Sequence, residues 1–565
     1  MELKNKASNL FCWIKTHASD LAIMLLIVLV GKVYIHKIDK VIDIGLQDET
    51  YYLSNGLDIA AKGLPPAYGY PHGAPLYAIW YWFLSFIKSD AIELYYLNYK
   101  TTVVLPVLFC FVFLRASHVS RLFSICITFI LLTSAVNFPV WPRISHFALA
   151  ILFCGLAVST RLLTAEAKLS WSAIVVLLAS YVRPEFFLAF IFLWVVICLL
   201  ACFRLIRSYI KLSVYPIAAS MVVSTLLIVL MGVPFGSMNR SWDAFKQHYS
   251  FNAVKWTSSD VNPWLNADVF VDKTFPGANS VMGALKSNPV AFGKHLWSNI
   301  TQLPSIFLAL FSDPYPHSSV SNSSIQVACV IFLLLGLIHT QRKTLSQMIE
   351  SVSENVKRRL WSLLIMVLLL IPPLLSTVFI YPRHHYVLFL VFIPISIILV
   401  FSSKRDNNQR ETFSALLVCF LVLFTIRPVS AQILSRNQPN LSVIHFLRSL
   451  HVTQPVDILD ANEGYGVYVG KNYRMVESFR KKEGFDKFIR IWSIDMIVVS
   501  DDLRNDSRFK DDKEWKAFLA KPSSFGFTPF PIEDASNQIV LVRNYLLNDG
   551  QSIKGHRQKS EEKLD

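Results

Sequence analysis

The sequence predicts a mainly α, polytopic membrane protein of about eleven spans, followed by a small α/β domain outside the membrane. Three observations carry that expectation. Hydrophobic residues make up 53% of the 565 and charged residues only 16%, an apolar excess well beyond that of an ordinary soluble domain. The apolar residues fall in runs whose length suits bilayer-crossing helices, and the runs are separated by short basic clusters. From about Leu434 the composition changes to that of a soluble domain. The net charge of +15 sits mostly in those clusters between apolar runs, so it reads as membrane orientation rather than as a surface for nucleic acid.

Taken in order, Asp20 to Ile35 is the first span, with Lys4, Lys6 and Lys15 holding its start in the cytoplasm. No small-residue cleavage site follows it, so it is expected to be retained. An external segment, residues 43–89, comes next, and its stretch from Ala74 to Ile87 is too short to span and predicts an interfacial helix. Ala91 to Leu114 returns to Arg115 and Arg121. Four further crossings follow at 122–136, 147–160, 171–181 and 186–203, the last ending at Arg204, Arg207 and Lys211. Leu212 to Val233 leads into a second external segment, residues 236–322, whose patch from Leu303 to Phe311 is expected to dip into the interface. Ile325 to Leu337 returns to a strongly basic loop with Lys357, Arg358 and Arg359. Trp361 to Ile380, Val387 to Phe401 and Thr412 to Ile426 complete the membrane part, residues 1–433.

The odd count puts residues 434–548 outside. There, 456–459 and 496–499 read as buried strands, and 440–450 and 513–519 as helices. The polar tail, residues 549–565, has the composition of disorder. All eight cysteines lie in or beside apolar runs, which implies neither a disulfide framework nor a metal-ligand spacing.

Chemistry is expected around Asp48 and Glu49, two adjacent carboxylates just beyond the first span. Acids at a membrane boundary are costly to desolvate and often mark a substrate or proton path. An acidic pair also starts helices, because its oxygens meet free backbone N–H groups. Both readings stay open on these residues alone.

Asp48-Glu49-Thr50-Tyr51, then Gly63, then Pro75-Leu76-Tyr77 before an aromatic helix, together with Arg383-His384-His385-Tyr386 in a late external loop, resembles the GT-C polyprenol-phosphate-dependent glycosyltransferases. The likeness is to the protein O-mannosyltransferase and lipid A aminoarabinose transferase group, and it extends over the architecture of one span, an acidic loop and an odd span count ending in an external α/β domain. Two departures stand out. Trp141 to His146 occupies the loop where relatives carry a second Asp, and Ala74 stands where the aminoarabinose transferase has Lys.

The resemblance implies a glycosyltransferase that moves a sugar from a polyprenyl phosphate to an acceptor glycan, lipid or protein at the external face of a bacterial inner membrane or in an equivalent lumen. It implies Asp48 as the group that accepts the acceptor's proton or orients the acceptor, with Glu49 as its fallback or a helix cap. A phosphate leaving group calls for cations, and Arg143, Arg183, Arg383 and His384 stand at external span ends. Three of them have a plainer alternative. Arg183 faces a neighbouring Glu185 as a structural ion pair, and Arg383 with His384 suits an interfacial belt. Tyr51, Tyr52, His72 and His248 are candidate substrate contacts, with an aromatic belt or a structural histidine as the alternative.

No cofactor is expected, and no spacing supports a divalent metal. The partners implied are the lipid-linked sugar, its acceptor and membrane lipids, with no nucleic acid. Two other functions stay open: a lipid-linked oligosaccharide polymerase or ligase, and a polytopic transporter or flippase. No internal repeat relates two halves of the chain, which speaks against the transporter.

Overall fold

A computed structural model describes residues 2–63, 74–206, 213–234, 238–258, 263–264, 267–340, 345–402, 409–433, 437–461, 464–532, 535 and 537–548, without the side chains of some, including 2–17 and 384–385. The chain divides into two compact units. One comprises Met1–Lys37, Lys62–Ile79 and Asn98–Ile433; the other comprises Ile38–Ala61, Trp80–Leu97 and Leu434–Asp565.

The first unit is helical. Among the described residues, five helices are long and apolar enough to cross a membrane: Ala18–Lys40, Ala91–Ala116, Phe186–Ile206, Val214–Met231 and Ile349–Phe379. Helices of this kind mark a membrane protein. The other six expected spans also fall on helices, but Arg121–Thr133, Ile144–Ser159, Ser323–Leu335, Leu388–Phe401 and Glu411–Thr425 are 10–17 residues long, and Ala165–Ser180 is 16. That is short of the roughly twenty residues a perpendicular crossing needs, so five helices qualify as spans by length and composition among the described residues, and the count of eleven is not reached.

Close packing follows small residues. Gly155 lies where an added Cβ would be 2.2 Å from Val175 Cγ1, so Ile144–Ser159 and Ala165–Ser180 approach backbone to side chain. The Trp171 indole donates to the Gly155 carbonyl at 2.9 Å across the same seam. At the start of the first span, Asp20 is bonded by Arg121 at 2.7 Å and by Arg115 at 3.1 Å, so its buried charge is compensated twice.

The segment 236–322, expected as a polar external segment with an interfacial patch, contains four α-helices among the described residues: Met238–Thr257, Ala267–Thr274, Val281–Ser287 and Pro289–Leu308. They enclose an aromatic core of Trp242, Phe245, Tyr249, Phe275 and Phe292. Ser280 and Asn288 cap the last two, accepting from Gly283 N at 3.0 Å and Ala291 N at 3.0 Å.

In the second unit a five-stranded sheet runs in the order β2-β1-β3-β5-β4, with β1 Val456–Asp460, β2 Tyr473–Glu477, β3 Met496–Val499, β4 Phe527–Pro531 and β5 Ile539–Arg543. β1 pairs in parallel with β2 and β3, while β5 runs antiparallel to both β3 and β4. Pro529 and Pro531 fit β4 because it is an edge strand, which needs fewer ladder N–H donors. The core beneath the sheet gathers Phe485, Phe488, Phe509, Trp515 and Phe518.

Candidate active site

The acidic pair lies in the second unit, and its two members differ sharply. The helix Asp48–Lys62 begins on them. Its first turn is fastened by Thr50, whose N–H and hydroxyl both donate to the Gln47 carbonyl, at 2.9 and 2.6 Å. Asp48 is exposed, whereas Glu49 is 3% exposed. The buried Tyr81 hydroxyl donates to Glu49 Oε1 at 2.5 Å, so the inner carboxylate is tied down and the outer one faces away from the core. Tyr51 and Tyr52 split in the same way, Tyr51 exposed and Tyr52 buried, with ring centroids 5.9 Å apart. Only Tyr51 of the two offers a ring to a substrate.

The loop leading into this turn is held by residues far away in sequence. Asp43 accepts backbone N–H groups from Ile44 at 2.9 Å, Asn440 at 2.9 Å and Leu441 at 3.0 Å, and so caps the start of the helix Pro439–Ser449. Burial raises the Asp43 carboxyl above its usual range, against the downward pull of those three donors. The Asn440 amide returns a bond to the Ile44 carbonyl at 2.9 Å, and the Gly45 N–H donates to the Tyr95 hydroxyl at 3.1 Å.

The three candidate arginines lie in the first unit. Arg143 is fully buried. Its guanidinium donates to the Asn137 carbonyl at 2.6 Å and to Thr102 Oγ1 at 3.2 Å, and it stacks 4.7 Å from the centre of the Tyr99 ring. That is the geometry of a cation holding its own loop together. Arg183 pairs with Glu185, Nη2 to Oε1 at 2.7 Å, and lies over the Tyr386 ring at 5.0 Å, so the ion pair anticipated from their spacing is present.

Arg383 stands differently. It is half-buried over Trp264, 5.0 Å from the ring centre, in a cluster with His248, Phe251 and Tyr381. Lys255 reaches the same cluster and donates to the Tyr381 hydroxyl at 2.6 Å. His248 Nδ1 bonds the Ala244 carbonyl at 2.5 Å, and its Nε2 is buried. Burial, reinforced by the Arg383 charge, lowers the His248 pKa to about 4, so at neutral pH the ring is uncharged. The side chain of His384 and all of His72 lie outside the described residues. Among the described residues, no three His, Cys, Asp or Glu side chains converge in a way that could hold a metal ion.

The chain is similar in structure to the Archaeoglobus fulgidus oligosaccharyltransferase in its apo form. Sequence identity is 12% and the TM-score 0.33, over 86% of this chain and 70% of that one. A likeness at that score is too weak to carry an activity across. No family model matches the chain, and no curated protein matches it.

Several site residues were not legible in the sequence. Tyr81 is one of many aromatics between Tyr51 and Trp82, and nothing in its spacing singles it out as the donor to Glu49. Lys255, Trp264 and Tyr381 come from separate segments and meet only in three dimensions. Asp43 carried one signal, an acid at the mouth of the external segment, but its partners stand almost 400 residues away.

Proposed function

We propose that this protein is a membrane glycosyltransferase that moves a sugar from a polyprenyl-phosphate donor to an acceptor glycan, lipid or protein at the external face of a bacterial inner membrane. One observation carries the reading: an exposed Asp48 backed by a buried, tyrosine-bonded Glu49, directly after the first membrane helix. A helix cap alone needs one surface oxygen and no enclosed partner. A carboxylate fixed beneath an exposed one instead stiffens the turn that presents it.

In this reading Asp48 takes the proton of the acceptor hydroxyl or amine as the new bond to the anomeric carbon forms. The departing polyprenyl phosphate carries its charge away and calls for cations rather than for an acid. Arg383 is the best-suited arginine. It stacks on an aromatic face, with Lys255 at the same cluster, a combination of cation and ring that suits phosphate and sugar together. Arg143 and Arg183 are assigned to structure.

The test compares membranes with and without the chain by mass spectrometry of glycans, lipid A and glycoproteins, and then repeats the comparison with Asp48→Asn. The expected result is a sugar modification that disappears in the variant at unchanged protein abundance. Full modification with Asp48→Asn overturns the assignment.

A further inference from the structure

We propose that the C-terminal segment positions the acidic turn, with Asp43 and Gly464 as positioning residues for transfer. The inference rests on the reading of Asp48 as the reacting carboxylate, and it concerns contacts within the second unit only.

Residues 42 to 46 are gripped almost one by one. The Gln438 amide donates to the Ile42 carbonyl at 2.6 Å, and the Tyr96 hydroxyl donates to the same oxygen at 2.7 Å. Asp43 caps the helix Pro439–Ser449 through Asn440 and Leu441, and Asn440 closes the exchange on Ile44. Gly464 then packs directly on Leu46. A Cβ at position 464 would lie 2.4 Å from the Leu46 carbonyl oxygen and 2.8 Å from its Cα, so no other residue fits without moving the backbone. The next residue, Tyr465, ties this contact back to the helix start by donating to Asn440 Oδ1 at 3.2 Å.

Two residues beyond Leu46 stands Asp48. Gln47 is the intervening residue, and its carbonyl already closes the first helical turn through Thr50, so the chain between clamp and carboxylate has little slack. A displacement imposed at Leu46 is therefore delivered to Asp48. Relieving the 2.4 Å approach to an ordinary contact requires a shift of about 1 Å, and a misplacement of that size at a reacting group costs on the order of 100-fold in rate.

The experiment uses the full chain in native membranes, with the transfer product quantified by mass spectrometry and hydrogen exchange followed in peptides over residues 42–52. Gly464→Ala is compared with Gly293→Ala, a position with nothing within 4 Å of the added Cβ. Asp43→Ala is compared with Asp43→Asn, whose amide oxygen keeps the acceptor for Ile44 and Leu441 while its amino group loses the one for the Asn440 N–H. We expect Gly464→Ala and Asp43→Ala to lower the transfer rate between 10- and 100-fold, on the order that misplacement produces, and to speed exchange over 42–52. Gly293→Ala should change neither, and Asp43→Asn should fall between Asp43→Ala and the unaltered protein in both rate and exchange. A general structural role would not be partly rescued at 43 while leaving exchange over the Phe485–Ile491 helix untouched. Unchanged exchange over 42–52 in Gly464→Ala, or an unchanged rate beside altered exchange, overturns the proposal. Activity retained in Asp48→Asn overturns the reading of the base instead, and the exchange result still judges the clamp.

Discussion

Tyr81 bonds Glu49 at 2.5 Å across 32 residues of sequence, and both side chains are buried. The contact joins the helix Pro75–Ser85 to the first turn of the helix Asp48–Lys62, and so ties a carboxylate to the aromatic stretch that follows it. Tyr81→Phe removes one donor from that buried carboxylate and keeps the ring. Leaving a buried acceptor short of a donor costs roughly 1–3 kcal/mol. Thermal unfolding should shift downward accordingly, and sugar transfer should fall by less than in Asp48→Asn. A variant as inactive as Asp48→Asn but equally stable would make Tyr81 a reacting group rather than a holder of Glu49.

Arg183 and Glu185 offer a cleaner separation of structure from chemistry. Their side chains are 10% and 15% exposed, and Arg183 also lies over the Tyr386 ring. Removing one member of a buried pair strands the other charge and costs about 3–5 kcal/mol. Arg183→Gln should therefore destabilise the protein strongly, and the double variant Arg183→Gln with Glu185→Gln should recover most of that loss. Transfer should recover with it. Stability regained without activity would return Arg183 to the donor phosphate.

The membrane part was legible because apolar composition is a local property, and every expected span lies on a helix even where the helix is too short to cross alone. Strands at 456–459 and 496–499 were equally legible, since both are short, mostly buried apolar runs, broken only by Asp457 in the first. β2 and β4 were not. β4 carries two prolines and β2 places Arg474 between Tyr473 and Met475, as edge strands do, and both fall outside the usual apolar pattern. The helical core at 238–308 was hidden for another reason. Its aromatics are diluted by charged residues on the outer faces, so mean polarity masked a periodic apolar stripe. The Asp48–Glu49 pair was visible as residue types, but which of the two is buried depends on the turn that starts the helix.

Phe245 stands at the centre of that helical core, with ring centroids of Trp242, Phe292 and Tyr249 at 5.5, 5.6 and 5.9 Å. Phe245→Ala opens a cavity in a small core with few alternative packings, and such truncations cost about 3–5 kcal/mol. Hydrogen exchange should quicken through Met238–Thr257 and Pro289–Leu308, while the C-terminal core around Trp515 keeps its protection. Uniform loss across both regions would contradict an independent core.

The same segment should respond to acid. His295 is fully buried between Asn252 at 3.0 Å and Asn299 at 3.2 Å, and Asn299 extends the network to the Val378 carbonyl at 2.9 Å. Burial lowers the His295 pKa to about 4, outweighing its bonds to the backbone of Phe379 and Ile380, and His248 is lowered to about 4 as well. Below the ordinary value of 6.5 the unfolded chain takes up protons that the folded ring refuses. The stabilisation is thus complete above pH 6.5, declines as the pH falls from 6.5 toward 4, and levels off below. A shift of this size is worth roughly 3 kcal/mol for each histidine. Exchange in peptides over 238–308, corrected for intrinsic rates, should accelerate between pH 6.5 and pH 4.5, and replacing both histidines with glutamine should flatten the profile. A flat profile in the unaltered protein would mean that these rings already carry a proton in the fold.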